Sequence, residues 1–294
     1  MSYTNKVKAE LAAVAPVCAQ CESAEAQGLL LPCIDLAHRR ILLTTSSVHA
    51  AKRFALLVEN CFGVSPAISK GKASYLSKVE SDSDRIFSAM GVTAKTLAVR
   101  IDRALLEADC CTDAFLRGMF LSCGRMQLPA DGYRLEFATP HRQLSAQLEA
   151  LLHEQEHTPI YSLRRGWHIL YFKSASYVSA LLSRMGATNA ANDVLRVREQ
   201  RKIASTVNRQ TNSLFANLTR SAEASAVQNE ALRRLASHRL NALPDPLQQA
   251  ARLRLAHPEA SLRELAALSG GVSPSTMARR LNKLVALADE DLSD

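Results

Sequence analysis

Asp113-Ala-Phe-Leu-Arg-Gly-Met-Phe-Leu121 is the stretch of sequence from which the fold can be worked out. Its second half, Gly118-Met-Phe-Leu121, has a counterpart about 90 residues earlier in Gly28-Leu-Leu-Leu31. Two further phrases return in the same order at nearly the same offset: Ile86-Phe-Ser-Ala-Met-Gly-Val92 as Leu181-Leu-Ser-Arg-Met-Gly-Ala187, and Ser65-Pro-Ala-Ile-Ser69 as Thr158-Pro-Ile-Tyr-Ser162. Three ordered matches at one spacing predict a two-copy repeat in the first 190 residues.

Each copy predicts the same order of elements: helix, hairpin, helix, hairpin, helix. The alternation in Tyr133-Arg-Leu-Glu-Phe-Ala-Thr139 is typical of a strand with one apolar face. Gly91 and Gly186 each follow a methionine and suit the C-terminal cap of a final helix. The expected segments are helices at 22–31 and 113–122, strands at 40–46 and 133–139, helices at 48–62 and 140–153, and strands at 160–163 and 167–172. The predicted fold class is α+β, with an all-α tail.

The tail predicts three short helices. The first runs over Pro246–Ala256, and Ser261 with Glu264 forms the capping box of the second, which ends at Gly270-Gly271. Ser273 is the expected N-cap of the third helix, whose apolar stripe is Met277, Leu281, Leu284 and Leu287. Short helix, glycine turn and basic helix together favour a helix-turn-helix over a generic three-helix bundle. The candidate DNA-binding residues of this third helix are Ser273, Ser275, Thr276, Arg279, Arg280 and Lys283.

The positive charge of the chain is concentrated towards its C-terminus. Residues 196–288 carry 15 Lys and Arg against 6 Asp and Glu, whereas residues 1–195 carry 21 against 18. This distribution indicates a polyanionic partner, and a bias towards solubility is the alternative. Residues 194–242 contain no Pro or Gly and predict one or two long basic helices. Within them Arg209 and Asn212 are candidate DNA contacts, and a polar face that docks the tail is the alternative.

Two motifs that could bind a metal are rejected. His153-Glu-Gln-Glu-His157 matches the H-E-x-x-H zinc pattern, but Thr158-Pro159 ends the helix that the pattern needs, which leaves a solvated helix end. Cys18-x-x-Cys21 lacks a second C-x-x-C pair, so free thiols are favoured over a metal site. Trp167 and Tyr171 are expected in the core. We expect no cofactor, no metal site and no catalytic residues.

The two glycine-bearing helices resemble the paired LAGLIDADG helices of homing endonucleases, in which an acid near each helix C-terminus binds a divalent cation. Aligning Ala26-Gln-Gly-Leu-Leu-Leu-Pro-Cys-Ile34 and Leu116-Arg-Gly-Met-Phe-Leu-Ser-Cys-Gly124 with that motif puts Cys33 and Cys123 at the positions of the acids. A thiol is a poor ligand for magnesium, which prefers oxygen. The resemblance therefore implies a retained scaffold without endonuclease chemistry, although a nearby carboxylate such as Asp35 is an alternative ligand. Pro32 departs from the motif and predicts an early end of the first helix.

The whole chain resembles the WhiA family of sporulation and cell-division regulators. The matching stretches are Arg201-Lys-Ile-Ala-Ser-Thr-Val-Asn-Arg-Gln-Thr-Asn212, Ala216-Asn-Leu-Thr-Arg220, Leu243-Pro-Asp-Pro-Leu247 and Ser273-Pro-Ser-Thr-Met-Ala-Arg-Arg-Leu-Asn-Lys-Leu284. The resemblance implies a two-repeat LAGLIDADG-like body followed by a helix-turn-helix domain, and a function in transcription regulation of sporulation, cell division or chromosome segregation. It implies double-stranded DNA as a partner, with a WhiB-like iron–sulfur protein or RNA polymerase as protein partner.

The expected division of the chain is repeat 1 at 1–95, repeat 2 at 96–192, a basic helical linker at 193–242 and the helix-turn-helix domain at 243–294. The sequence shows neither a signal peptide nor an apolar run long enough to span a membrane, so we expect a cytoplasmic, nucleoid-associated protein. The leading hypothesis is a non-enzymatic, sequence-specific transcription regulator. The alternatives are a scaffold that binds a regulatory protein and an active metal-dependent endonuclease.

Overall fold

The computed structural model describes residues 2–79, 82–127, 132–235 and 237–290, and the chain divides into two compact units, residues 1–201 and 202–294. Each unit has its own buried apolar core. Within the described residues, no helix has the length and apolar composition that crossing a bilayer requires.

The first unit contains the predicted duplication. In copy one, α2 (Ala19–Leu30) is followed by β1 (Ile34–Asp35), β2 (Arg40–Thr45), α3 (Val48–Phe62), β3 (Ala67–Lys70), β4 (Tyr75–Val79) and α4 (Ser83–Ala89). In copy two, α5 (Asp109–Cys123) is followed by β5 (Gly124–Gln127), β6 (Arg134–Thr139), α6 (Arg142–Glu154), β7 (Ile160–Arg164), β8 (Trp167–Phe172) and α7 (Ala175–Met185). The expected order of elements is confirmed in both copies.

The two sheets of the first unit have the same topology. Their strand orders are β1-β2-β4-β3 and β5-β6-β8-β7, and all pairs are antiparallel. In β6 the buried side chains are Leu135, Phe137 and Thr139, which is the alternation the sequence predicts for a sheet with one face on the core. Gly91 and Gly186 adopt positive φ values of 66° and 99° just after the last helices, as expected for C-terminal caps.

Some boundaries differ from the prediction. An N-terminal helix, α1 (Tyr3–Ala12), was not expected, and its Val7 and Leu11 are buried in the core of the first unit. Pro140 lies before α6 rather than in its first turn, because His141 is the N-cap. The first-repeat helix does end early at Pro32, where a 3-10 turn over Leu31–Cys33 replaces the last helical turn.

The remaining helices are α8 (Thr188–Arg234), α9 (Ser237–Asn241), α10 (Asp245–Ala256), α11 (Leu262–Leu268) and α12 (Pro274–Glu290). The core of the second unit combines residues from the end of α8 with residues of α10, α11 and α12, including Leu232, Leu265 and Met277.

Candidate nucleic-acid interface

The second unit forms the helix-turn-helix that the sequence predicts. The capping box of α11 is complete: Ser261 Oγ accepts from the Glu264 amide at 3.3 Å, and Glu264 accepts from the Ser261 amide at 2.7 Å. The turn ends α11 with Gly270 and Gly271 at φ values of 87° and 89°. Ser273 Oγ then accepts from the Thr276 amide at 3.1 Å, which is the expected N-cap of α12.

One face of α12 is buried and the other carries the basic residues. Met277, Leu281, Leu284 and Ala288 are buried, whereas Leu287 is only half-buried. The expected fourth member of the apolar stripe was therefore wrong by one position, since 288 continues the helical spacing after 284. Arg279 and Lys283 are exposed, so both cations are available to a ligand.

Arg280 differs from the other two basic residues. Its side chain is half-buried, and its Nη1 atom is buried without a hydrogen-bond partner in the part of the chain that the structure describes. Arg280 lines a surface hollow of about 520 Å³ together with Asp245, Gln248, Gln249 and Arg252. Arg280 is thus less accessible than expected, and Arg279 is the better candidate for a direct base contact.

Three hydroxyl groups cluster at the N-terminus of α12. Ser273 Oγ lies 2.9 Å from Ser275 Oγ and 2.8 Å from Thr276 Oγ1. Helix N-termini combine unpaired amides with the positive end of the helix dipole, and therefore attract phosphate. The hydroxyls add donors to that end of the helix, where a DNA backbone would supply acceptors.

Arg254 supports this domain from inside, a role that no sequence motif indicated. Its side chain is 2% exposed, and it donates to Ala260 O at 2.6 Å and to Gln228 Oε1 at 3.0 Å. Burial lowers the pKa of its guanidinium. Ala260 directly precedes Ser261, the N-cap of α11, and Gln228 lies on α8, so these hydrogen bonds connect both segments to α10.

The two candidate contacts on α8 lie on a fully exposed stretch. Residues 202–224 are all exposed, and these include Arg209 and Asn212. Arg209 donates to Ser205 Oγ one turn earlier on the same helix at 3.1 Å, so its guanidinium stays on the helix surface.

In the first unit, the two central helices touch at their glycines. A Cβ on Gly28 would clash with the carbonyl group of Phe115. A Cβ on Gly118 would clash with the carbonyl group of Glu25 and would lie 2.8 Å from the Leu29 amide nitrogen. The backbones of α2 and α5 are therefore in direct contact, as the resemblance to LAGLIDADG helices implies.

Both cysteines that the resemblance aligns with the endonuclease acids are hydrogen-bonded to backbone. Cys33 Sγ donates to Leu29 O at 3.3 Å, and Cys123 Sγ donates to Met119 O at 3.2 Å. Burial raises the pKa of the Cys33 thiol, and burial also raises the pKa of Cys123 to about 11. Both thiols are therefore neutral at physiological pH.

A cavity of about 320 Å³ beside these thiols is cationic. Lys8 and Arg125 line it with Cys33, Cys123 and several hydroxyls, and no carboxylate occurs among the described residues of its lining. Burial lowers the pKa of Lys8 to about 8. Trp167, expected in the core, instead lines this cavity and is 48% exposed. A cationic pocket of this kind opposes magnesium binding, because the ion needs oxygen ligands and negative charge.

Asp35, the alternative carboxylate, is not part of the cavity lining. Its Oδ2 accepts from Arg40 Nε at 2.8 Å and lies 2.8 Å from His38 Nδ1. The carboxylate is thus already paired with Arg40 and in hydrogen-bonding contact with His38.

The H-E-x-x-H stretch does not form the zinc geometry. Helix α6 ends at Glu154, so His153 and His157 do not share a helix. His157 is buried rather than solvated, with its ring 6.3 Å from Phe172 and 6.1 Å from Tyr177, and burial lowers its pKa. The prediction of a solvated helix end was wrong for this residue. The other rejected motif, Cys18-x-x-Cys21, lies beside Cys110 and Cys111.

A helix-turn-helix with an exposed basic helix, on a chain whose body packs two glycine-bearing helices face to face, defines a class of DNA-binding regulators. Residues 207–288 match the WhiA C-terminal HTH domain family, and residues 112–204 match the WhiA LAGLIDADG-like domain family.

Relatives that match over nearly the full length support the same assignment. The chain is 33% identical to the probable cell division protein WhiA of Symbiobacterium thermophilum, over 98% of each chain. It is 32% identical to that of Heliobacterium modesticaldum, over 98% of this chain and 96% of the relative. The chain therefore belongs to the WhiA family, as a DNA-binding regulator with a helix-turn-helix domain.

Solved structures agree on the fold. The crystal structure of full-length DUF199/WhiA from Thermotoga maritima matches with a TM-score of 0.60 at 23% identity, over 99% of each chain. The N-terminal LAGLIDADG domain of DUF199/WhiA matches with a TM-score of 0.51 at 20% identity, over 63% of this chain and 90% of that one.

Proposed function

We propose that this chain is a sequence-specific transcription regulator of sporulation, cell division or chromosome segregation, and that its body has lost endonuclease activity. The observation that carries the proposal is the outward basic face of α12, where Arg279 and Lys283 are exposed beside the hydroxyls of its N-terminus. Relatives that carry the name cell division protein support the cellular role. A nucleoid location in the cytoplasm and a WhiB-like iron–sulfur protein or RNA polymerase as partner belong to this proposal.

The proposed organisation keeps four segments: repeats at 1–95 and 96–192, a basic helical linker at 193–242 and the DNA-binding domain at 243–294. Within it, Ser273, Ser275, Thr276, Arg279, Arg280 and Lys283 contact DNA from α12, and Arg209 and Asn212 contact it from α8.

The test uses the full chain and a duplex selected by the protein from a random library. Arg279→Ala is expected to weaken binding by about 1–3 kcal/mol, because a guanidinium–base contact is lost. Arg142→Ala, which removes an exposed arginine from α6, is the matched control and is expected to bind normally. Affinity is also expected to fall steeply with salt as phosphate counterions are displaced. Unchanged binding of Arg279→Ala would remove α12 from the interface.

Loss of nuclease chemistry is tested on the same selected duplex. No magnesium- or manganese-dependent cleavage is expected, because neutral thiols and the Lys8 ammonium stand where carboxylates would bind the ion. Metal-dependent nicking that persists in Lys8→Met and disappears in Cys123→Ser would establish an active site at this position.

A protein-binding scaffold is the second candidate. It is favoured by apolar side chains on the solvent-exposed part of α8, where Leu214, Phe215 and Leu218 are 63%, 69% and 67% exposed. Retention of a protein partner together with failure to bind any duplex would favour this function over the first.

A further inference from the structure

Four cysteines that the DNA-binding function does not use lie together at one end of the central helices. Cys18 directly precedes α2 and Cys21 lies in its first turn, whereas Cys110 and Cys111 lie in the first turn of α5. The four Sγ atoms all lie within 4.8 Å of one another. The sequence motif contains only Cys18 and Cys21, and the fold brings Cys110 and Cys111 next to them.

The spacing of the sulfur atoms fits one metal ion. Cys18 Sγ is 3.4 Å from Cys21 Sγ, 3.5 Å from Cys111 Sγ and 3.7 Å from Cys110 Sγ. Four sulfurs placed tetrahedrally at the zinc–sulfur distance of about 2.3 Å are about 3.8 Å apart. Disulfide bonding would require about 2.05 Å.

We propose that Cys18, Cys21, Cys110 and Cys111 bind one Zn²⁺ ion as a structural site that joins the N-termini of α2 and α5. A tetrahedral set of four thiolates is the ligand chemistry that selects zinc, and it disfavours magnesium and calcium, which take oxygen ligands.

Both pairs of cysteines begin a long helix. The first amides of α2 and α5 and the positive ends of the two helix dipoles are therefore close to the sulfur atoms. Four thiolates around one Zn²⁺ would carry a net charge of about −2, which the positive helix ends would partly offset.

The site is distinct from the former endonuclease centre. Cys33 and Cys123 lie at the C-terminal ends of the same helices, whereas the four cysteines lie at the N-terminal ends. The ion would hold the two helices together at the end opposite the cationic cavity. Cys21 and Cys111 are buried and Cys18 is exposed, so the site opens to solvent on one side.

The experiment measures metal in the full chain, purified under reducing conditions without chelator. Elemental analysis is expected to find about one zinc per chain. The double variant Cys21→Ser with Cys111→Ser is expected to lose it, and Cys61→Ser, which removes a half-buried cysteine outside the cluster, is expected to keep it. Replacing zinc with Co²⁺ is expected to give the visible absorption of tetrahedral cobalt thiolate.

Four results would overturn the proposal: wild-type protein without zinc that also gives no cobalt thiolate spectrum, equal zinc in the double variant, iron with inorganic sulfide, or disulfides among the four cysteines. If the double variant does not fold, the cobalt spectra of wild-type and Cys61→Ser protein decide the question, because neither lacks a ligand.

Discussion

Lys8 is a cation placed in the core-facing side of α1, next to two neutral thiols and Arg125. Its side chain is 5% exposed, and burial lowers its pKa from 10.5 to about 8. Below pH 8 the ammonium is charged in both the folded and the unfolded chain, so the folded state bears the whole desolvation cost, about 3 kcal/mol. Between pH 8 and 10.5 this cost declines, because the unfolded chain alone still binds the proton.

We therefore expect Lys8→Met to raise the free energy of unfolding by about 1–3 kcal/mol at neutral pH. The gain is expected to shrink as pH rises above 8 and to vanish near 10.5. Urea denaturation of both proteins across this range measures it. A gain that is the same at every pH would show that the buried charge is not its source.

Glu25 is a fully buried carboxylate held by one arginine from each repeat. Arg53 donates Nε to Oε1 at 2.8 Å and Nη2 to Oε2 at 2.7 Å, and Arg117 donates Nε to Oε2 at 3.1 Å. Its partners Arg53 and Arg117 are 9% and 4% exposed. If the carboxylate were removed, little water could reach either guanidinium to solvate its charge.

Glu25→Ala is expected to destabilise the protein by about 3–5 kcal/mol, because two buried cations lose their counter-ion. Glu154→Ala is the matched control. Glu154 also accepts two hydrogen bonds from one guanidinium, from Nη1 and Nη2 of Arg103, but that pair is exposed. The control is expected to change stability by about 0–1 kcal/mol. Equal effects of the two variants in denaturation curves would contradict this reasoning.

At the scale of elements, the contact between α2 and α5 depends on the absence of side chains. Alanine in place of a helical glycine normally stabilises a helix by about 0.5–1 kcal/mol. At Gly118 the added methyl group would instead meet the backbone of Glu25 and Leu29 and push the helices apart.

Gly118→Ala is thus expected to lower the free energy of unfolding by about 1–3 kcal/mol or more, opposite in sign to the helix propensity. Ser122→Ala, on the same helix, adds no atoms and serves as the control. Chemical denaturation compares the two, and a stabilised Gly118→Ala protein would mean that the helices are not in backbone contact.

The helices and strands that the sequence predicted are those with strong local signals. Proline, glycine and hydroxyl caps mark the ends of α11 and α12, and strand alternation marks β6. No sequence pattern indicated helix α1, because its burial comes from tertiary contacts and involves only Val7, Lys8 and Leu11. The position of Arg280 is likewise a tertiary feature, since Arg280 lines the same hollow as Asp245 and Gln248 of a different helix.

The cysteine cluster had a signal that the linear reading did not use. Cys21 and Cys111 each precede their repeat's glycine by seven residues, and Cys18 and Cys110 precede it by ten and eight. Because α2 and α5 meet at Gly28 and Gly118, residues at similar distances before the two glycines come together. The cluster can therefore be predicted by aligning the two repeats, but not from the cysteine spacing within either repeat.

In the molecule as a whole, the two units have separate cores, and only the first contains Trp and Tyr. The sequence contains 1 Trp and 6 Tyr, and all seven lie in residues 1–201. Trp167 fluorescence therefore reports unfolding of the first unit, whereas far-ultraviolet circular dichroism reports the helices of both.

Met277→Ala, which removes a fully buried side chain from α12, is expected to destabilise the second unit by about 2–5 kcal/mol. The transition followed by circular dichroism should shift while the one followed by Trp167 fluorescence stays in place. Leu148→Ala, fully buried in α6, is expected to shift the fluorescence transition together with the part of the circular dichroism change that comes from the first unit. A single transition that moves with both variants would show that the units unfold as one.

The meeting of Gly28 and Gly118 also constrains how the duplicated halves can diverge. At each glycine, the backbone of the other copy's helix fills the space that a Cβ would need, so neither half can change there independently. A hybrid that combines one half of this chain with the other half of a distant relative will assemble only when both proteins have glycine at the point where the two helices meet.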